Sequence, residues 1–268
     1  MTPLQRLALL IALAAPFACG APRPRASSPV VAASAIAIVT AAPSAKPPPP
    51  TAPCEPGSVV SLDQFTEPVL GSFSAAGRDE VAGEMACEGA TGFALARRAG
   101  VQLALARFDL RVDPRTSRSR CRALRTGTGR DLLICRDDAI AYGQHDQAVV
   151  AVDYARDEDH DRIELVAVSD TTDTSCGGGP DVVAAELEGF DLVDVDGDGA
   201  LDVRVRVRAA RARVPPRPNC VMGSLGSGDP PKVPRPRLWI VELLLRGETL
   251  VPTPGSARVL AALAALKR

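Results

Sequence analysis

From residue 54 onward the chain alternates short apolar runs with clusters of turn-forming residues. The runs are SVVSL (58–62), EVAGEMAC (80–87), GFALARRA (92–99), VQLALARFDLRV (101–112), DLLICR (131–136), QAVVAVDYA (147–155), IELVAVS (163–169), LDVRVRVRA (201–209) and RLWIVELLLR (237–246). Each has the length and the aliphatic content of a β-strand. Several alternate apolar with polar residues, the period of a sheet with one wet face. RTGTGRD, SCGGGPD and GSLGSGDPPKVPRP supply breaks between them. Only SARVLAALAALKR (256–268) predicts a helix, with Ser256 as its cap behind Pro254 and Gly255. The expected fold is all-β and mainly antiparallel, a propeller-like or sandwich domain over residues 54–268 ending in a short helix.

Four segments repeat a theme, running from a charged turn into a strand. They are GRDEVAGEM (77–85), GRDLLICR (129–136), DRIELVAVS (161–169) and DGALDVRVRV (198–207). Their spacings are unequal, so the pattern leaves open whether they are repeats or coincidences in a chain rich in Asp and Arg.

The first 53 residues do not belong to this pattern. MTPLQRLALLIALAAPFACG has a positive start at Arg6, an apolar run from Leu7 to Ala15 and small residues after it. That is the layout of a secretory signal, and the run is shorter than the roughly 20 residues that span a bilayer. Ala18, Cys19 and Gly20 resemble the lipobox of bacterial lipoproteins, in which the Cys carries the lipid; Pro16 departs from it, where Leu is usual. Residues 20–53 hold nine Pro and ten Ala in 34 residues and no acid, the composition of an extended disordered linker. The expectation is an exported protein of the bacterial cell envelope, in the outer membrane or periplasm, with Cys19 as its lipid anchor to the membrane.

Charge and cysteines agree with export and narrow the partners. Residues 1–53 carry four basic residues and no acids, so the remainder has a net charge of −5, which argues against nucleic acid. Apart from Cys19, six cysteines remain: Cys54, Cys87, Cys121, Cys135, Cys176 and Cys220. An even number in an exported domain points to disulfides, and six allow fifteen connectivities. The expected pairs are Cys54–Cys87, Cys121–Cys135 and Cys176–Cys220.

The strongest chemical signal is DLVDVDGDGALDVRV (191–205). Calcium takes six to eight oxygens, so a loop that binds it needs carboxylates at alternate positions and a glycine for the sharp turn. With Asp194 as position 1, Asp196 stands at 3, Asp198 at 5, Gly199 at 6, Ala200 at 7 and Asp202 at 9. Four carboxylates this close repel one another without a cation, whereas the alternative is a plain acidic β-turn. An EF-hand is excluded twice: Val205 stands where the bidentate Glu belongs, and the chain continues into a period-two strand rather than a helix. A calcium loop entering a strand resembles the FG-GAP and VCBS repeats of extracellular β-propellers. The resemblance implies a structural Ca2+ held by Asp194, Asp196, Asp198, the Ala200 carbonyl and Asp202, on a non-catalytic repeat. A second stretch, DYARDEDHDRIELVAV (153–168), repeats the spacing at Asp157, Asp159 and Asp161, but Arg162 replaces the glycine, and it reads as a solvated acidic turn.

Catalytic signals are thin. The two histidines, His145 and His160, sit among aspartates in what read as surface turns. GSLGSG (223–228) fits neither a nucleophile elbow nor a phosphate loop, and SCGGGPD reads as a turn rather than an anion nest. Arg204, Arg206 and Arg208 share one strand face, either solvated or facing an anionic cell-surface polymer. The sequence predicts no enzyme but a binding or structural module for an unknown protein or cell-surface polymer. The alternative is a calcium-stabilised envelope hydrolase, whose converging carboxylates a sequence cannot display.

Overall fold

The computed structural model describes residues 55–87, 90–110, 120–141, 144–157, 161–172, 181–213 and 232–266. The chain divides into two units, Met1–Pro48 and Pro49–Arg268, and all the described residues lie in the second. The predicted signal, Cys19 and most of the linker fall in the first, outside the described residues. Among the described residues the second unit is antiparallel β-sheet with one α-helix.

Its strands form three consecutive four-strand meanders. The first is β2 (Val69–Gly71), β3 (Glu80–Cys87), β4 (Ala90–Ala99) and β5 (Gln102–Leu110), with the short β1 (Val59–Val60) added beyond β5. The second is β6 (Cys121–Arg125), β7 (Asp131–Ala141), β8 (Gln144–Val152) and β9 (Arg162–Asp170). The third is β10 (Asp181–Val193), β11 (Asp202–Arg213), β12 (Arg237–Arg246) and β13 (Thr249–Pro252). Helix α1 (Pro254–Leu266) follows.

The three sheets stack as layers. Leu132, Ile134, Val149 and Ala151 of the second sheet pack with Val203, Val205, Val207 and Val241 of the third. Leu133, Cys135, Val150 and Val152 point the other way and pack with Ala82, Phe93 and Leu95 of the first. The second sheet is therefore buried on both faces. This explains why LLIC and AVVAV are unbroken apolar runs, where the alternation of LDVRVRVR marks a sheet with one outer face. A further cluster, including Val60, Phe65, Met85 and Leu105, lies on the far face of the first sheet.

Three of the four repeated segments occupy one place in this plan. GRDEVAGEM, GRDLLICR and DGALDVRVRV each form the turn between the first and second strands of a meander and then that second strand. The fourth, DRIELVAVS, is the last strand of the second meander. The first residue of each second strand is an acid buried almost completely: Glu80, Asp131 and Asp202. Each accepts backbone N–H groups, from Ser74 (2.7 Å), from Ser72 (2.7 Å), and from Val195 and Leu245 (3.0 and 2.7 Å). These bonds offset the cost of burying a carboxylate; those to Glu80 and Asp202 fix the turn against the strand it enters, and the one to Asp131 ties the segment after β2 to β7.

Two details differ from the sequence reading. Helix α1 begins at Pro254, so Ser256 lies inside its first turn. Thr253 does the capping, its Oγ1 accepting the Ser256 N–H at 3.2 Å, with Pro254 in the first helical position. Ser256 is buried and its Oγ accepts the Glu242 N–H at 2.7 Å, pinning the helix to β12. His145 lies within β8, opposite Asp170 of β9, rather than in a turn; His160 falls outside the described residues.

The Cys121–Cys135 disulfide is formed, between residues directly opposite each other on β6 and β7. Cys87 is also disulfide-bonded, while Cys54, its expected partner, and the pair Cys176 and Cys220 lie outside the described residues, as do SCGGGPD before Asp181 and GSLGSG. No helix among the described residues is long and apolar enough to cross a membrane.

Candidate metal centre

The acidic loop joins β10 to β11. Gly197 and Gly199 adopt φ of 80° and 86°, a backbone region that disfavours side chains, so the DGDG order is what lets the chain double back. The turn carries Asp194, Asp196 and Asp202 together: one carboxylate oxygen from each lies within 4.8 Å of the others. Asp194 accepts the N–H groups of Gly197 (2.7 Å) and Gly199 (3.0 Å). Asp198 is not part of this group. It accepts the Ala200 N–H at 2.8 Å and an Arg246 N–H at 3.0 Å, and Ala200 enters the loop's hydrogen bonding as that donor.

The three carboxylates differ in setting. Asp202 is fully buried, and its two oxygens take the N–H of Val195 in the loop and of Leu245 in β12. It clamps the loop to the sheet and presents one edge to Asp194 and Asp196. Those two are exposed. Arg246, at the end of β12, donates to both Asp196 and Asp198. Its guanidinium holds the Asp196 carboxyl below the usual range and is itself raised in return, chiefly by Asp196.

The three acids offer the oxygen donors that a hard cation takes, and two of them, Asp194 and Asp196, are exposed to solvent. The seated guanidinium shows that positive charge is accommodated between Asp196 and Asp198.

A second charged centre, unannounced in the sequence reading, lies beside the loop. Arg130, in the turn between β6 and β7, is buried. It donates to Asp153 after β8 (2.8 Å), to the Phe73 carbonyl after β2 (3.3 Å) and to Glu248 in the β12–β13 turn (3.0 Å). One guanidinium thus joins all three sheets. Thr128 also donates to Glu248, and Arg156 pairs with Asp153 at 3.1 Å. Hydrogen bonds to Glu248 and Asp153 hold Arg130 above its ordinary value, and Arg130 holds Glu248 below its own.

The stretch 153–168 is not a solvated turn throughout. Asp153 and Asp161 are both buried. Asp161 lies 2.8 Å from Arg107 of β5, which also holds Asp109 at 3.0 Å. Burial pushes the Asp161 carboxyl up, Arg107 draws it back and Asp109 adds to the rise. Tyr154 is buried beside them, its hydroxyl donating to the Ala94 carbonyl at 3.2 Å; burial and then Asp109 push that hydroxyl up. The signal available in the sequence was the acid at each GRD or DGALD turn. The partners of Asp153 and Asp161 come from distant strands and left no local trace.

The arginine row on β11 faces outward as the alternation predicts. It is neutralised across the sheet: Arg204 pairs with Glu242 at 2.9 Å, Arg206 with Asp191, and Arg208 with Glu188.

The chain matches no protein-family model, no curated protein and no solved structure.

Proposed function

We propose that this chain is an exported bacterial envelope protein, lipid-anchored at Cys19. Residues 20–53 tether a β domain whose 194–202 loop takes a structural Ca2+. The domain's role is non-catalytic, binding or structural, in the manner of FG-GAP and VCBS repeats. The observation that carries the calcium reading is the convergence of Asp194, Asp196 and Asp202 on a turn that enters a strand. Asp194, Asp196 and Asp202 would hold the ion, with Asp198 and the Ala200 carbonyl as the remaining candidates. The ion would supply charge neutralisation and order to the loop, and its binding energy would add to folding. Stacked four-strand antiparallel sheets are also how propeller blades are built.

One observation favours the alternative hydrolase. Asp161, raised by burial, lies close to Asp109, and an acid held up beside a second carboxylate is a hydrolytic arrangement. Both carboxylates, however, are spent on Arg107, so the non-catalytic reading stands first.

The test is thermal melting of residues 20–268 with Ca2+, with Mg2+ and with chelator, beside Asp194→Asn. A rise in melting temperature with Ca2+ that the variant loses supports the site. Identical melting in all three conditions rejects it and leaves the loop as an acidic turn.

A further inference from the structure

The acidic loop and the Arg130 centre are joined by a single turn. Arg246 and Thr249 are paired across the β12–β13 hairpin, so Gly247 and Glu248 form its two-residue tip. Gly247 has φ 65°, which lets the chain reverse in so short a turn. Within three residues the tip presents opposite charges in opposite directions. Arg246 reaches the loop at Asp196 and Asp198. Glu248 reaches Arg130 and Thr128. Between them the Gly247 carbonyl accepts the Gly127 N–H at 3.4 Å, tying the tip's backbone to the second sheet.

We propose that this tip is a two-ended ionic strap, through which the order of the acidic loop and the closure of the seam between the second and third sheets depend on each other. The two ends are unequal. Arg130 and Asp153 are buried, with side chains 11% and 3% exposed, so the Glu248 end belongs to a network that is costly to break. The Arg246 end is a surface pair, 47% exposed on the arginine, and such pairs contribute little by themselves. The strap therefore opens first at the loop. Any agent that draws Asp196 and Asp198 away from Arg246 frees that end of the tip and loosens the other. Conversely, weakening the Glu248 end withdraws the cation that neutralises the loop. The inference is independent of what the loop binds, because both ends are made by the chain itself.

Amide hydrogen exchange tests it, in the full mature chain with chelator present, in the unmodified protein and in Glu248→Gln, Arg246→Gln and the double variant. The Glu248 side chain bonds only Thr128 and Arg130 among the described hydrogen bonds. A strap requires that Glu248→Gln nevertheless speed exchange of the Gly197 and Gly199 amides, by about 5-fold or more. The Thr66 amide, bonded to Glu84 in the first sheet, serves as the distant reference. Reciprocally, Arg246→Gln should speed exchange of the Gly127 amide, and the double variant should change both by less than the product of the single effects. Loop amides that keep their rates in Glu248→Gln, or single effects that multiply, overturn the strap. If Glu248→Gln does not fold, Thr128→Val removes one donor to the same carboxylate without changing charge, and the same readings decide.

Discussion

Asp202 is the carboxylate of the acidic motif that is turned into the protein. It is the last acid of D-x-D-x-D-G-x-x-D and the only buried one of the four. Its oxygens each meet a backbone N–H, from Val195 and from Leu245. Asp202→Asn keeps one acceptor and turns an NH2 group toward one of those donors, leaving a buried N–H unpaired. The expected loss is about 1–3 kcal/mol, read as a lower urea midpoint with chelator present so that no bound ion contributes. An unchanged midpoint would falsify the clamp. Motif spacing shows that four carboxylates share a loop. It does not show which of them faces the protein, because that depends on Leu245, 43 residues further along.

At the scale of elements, hairpin tips carry much of the charge chemistry, and this makes one region sensitive to acid. Glu248 is held below its ordinary value of 4.5 by Arg130 and then Thr128. A carboxyl whose folded value is depressed stabilises the protein above its unfolded value, and that contribution is lost as pH falls through the folded one. Asp161 works in the opposite sense, since burial raises it, so the total acid profile mixes both. The difference between the unmodified chain and Glu248→Gln isolates the strap: the variant should be less stable at neutral pH, and the gap should close below about pH 4. A gap of constant size from pH 7 to 3, measured by urea unfolding, would show that the Glu248 charge is not what matters.

The legibility of the elements follows from how each is buried. β3 and β12 lie where their apolar content puts them, at 80–87 and 237–246. The thirteen-residue β10 does not stand out, because DVVAAELEGFDLV mixes Ala, Glu and Leu with a bulge between Leu187 and Gly189. Tertiary contacts hold it as a strand. Its N–H groups at Val183, Ala185 and Leu187 are taken by Thr171, Asp170 and Gln147 of the second meander, at 2.9, 3.2 and 2.8 Å. β2 and β6 are too short to carry a period.

For the whole molecule, the proposed anchor at Cys19 and the layered stack of the second unit can be tested apart. The two clusters between the layers, and the one on the far face of the first sheet, all lie within Pro49–Arg268, the second of the chain's two units. A Pro-rich spacer the length of residues 20–53 reaches up to about 100 Å when extended, ample to hold such a domain clear of a membrane surface. If Cys19 carries the lipid, that one sulfur decides where the protein resides and contributes nothing to how the domain folds. Cys19→Ser should move the protein from the membrane fraction to the soluble one, while the released domain melts at the temperature of the anchored form and keeps its Cys121–Cys135 bridge. Retention in the membrane fraction after the substitution would assign the attachment to another part of the chain. A changed melting temperature would mean that the amino-terminal unit packs on the stack rather than tethering it.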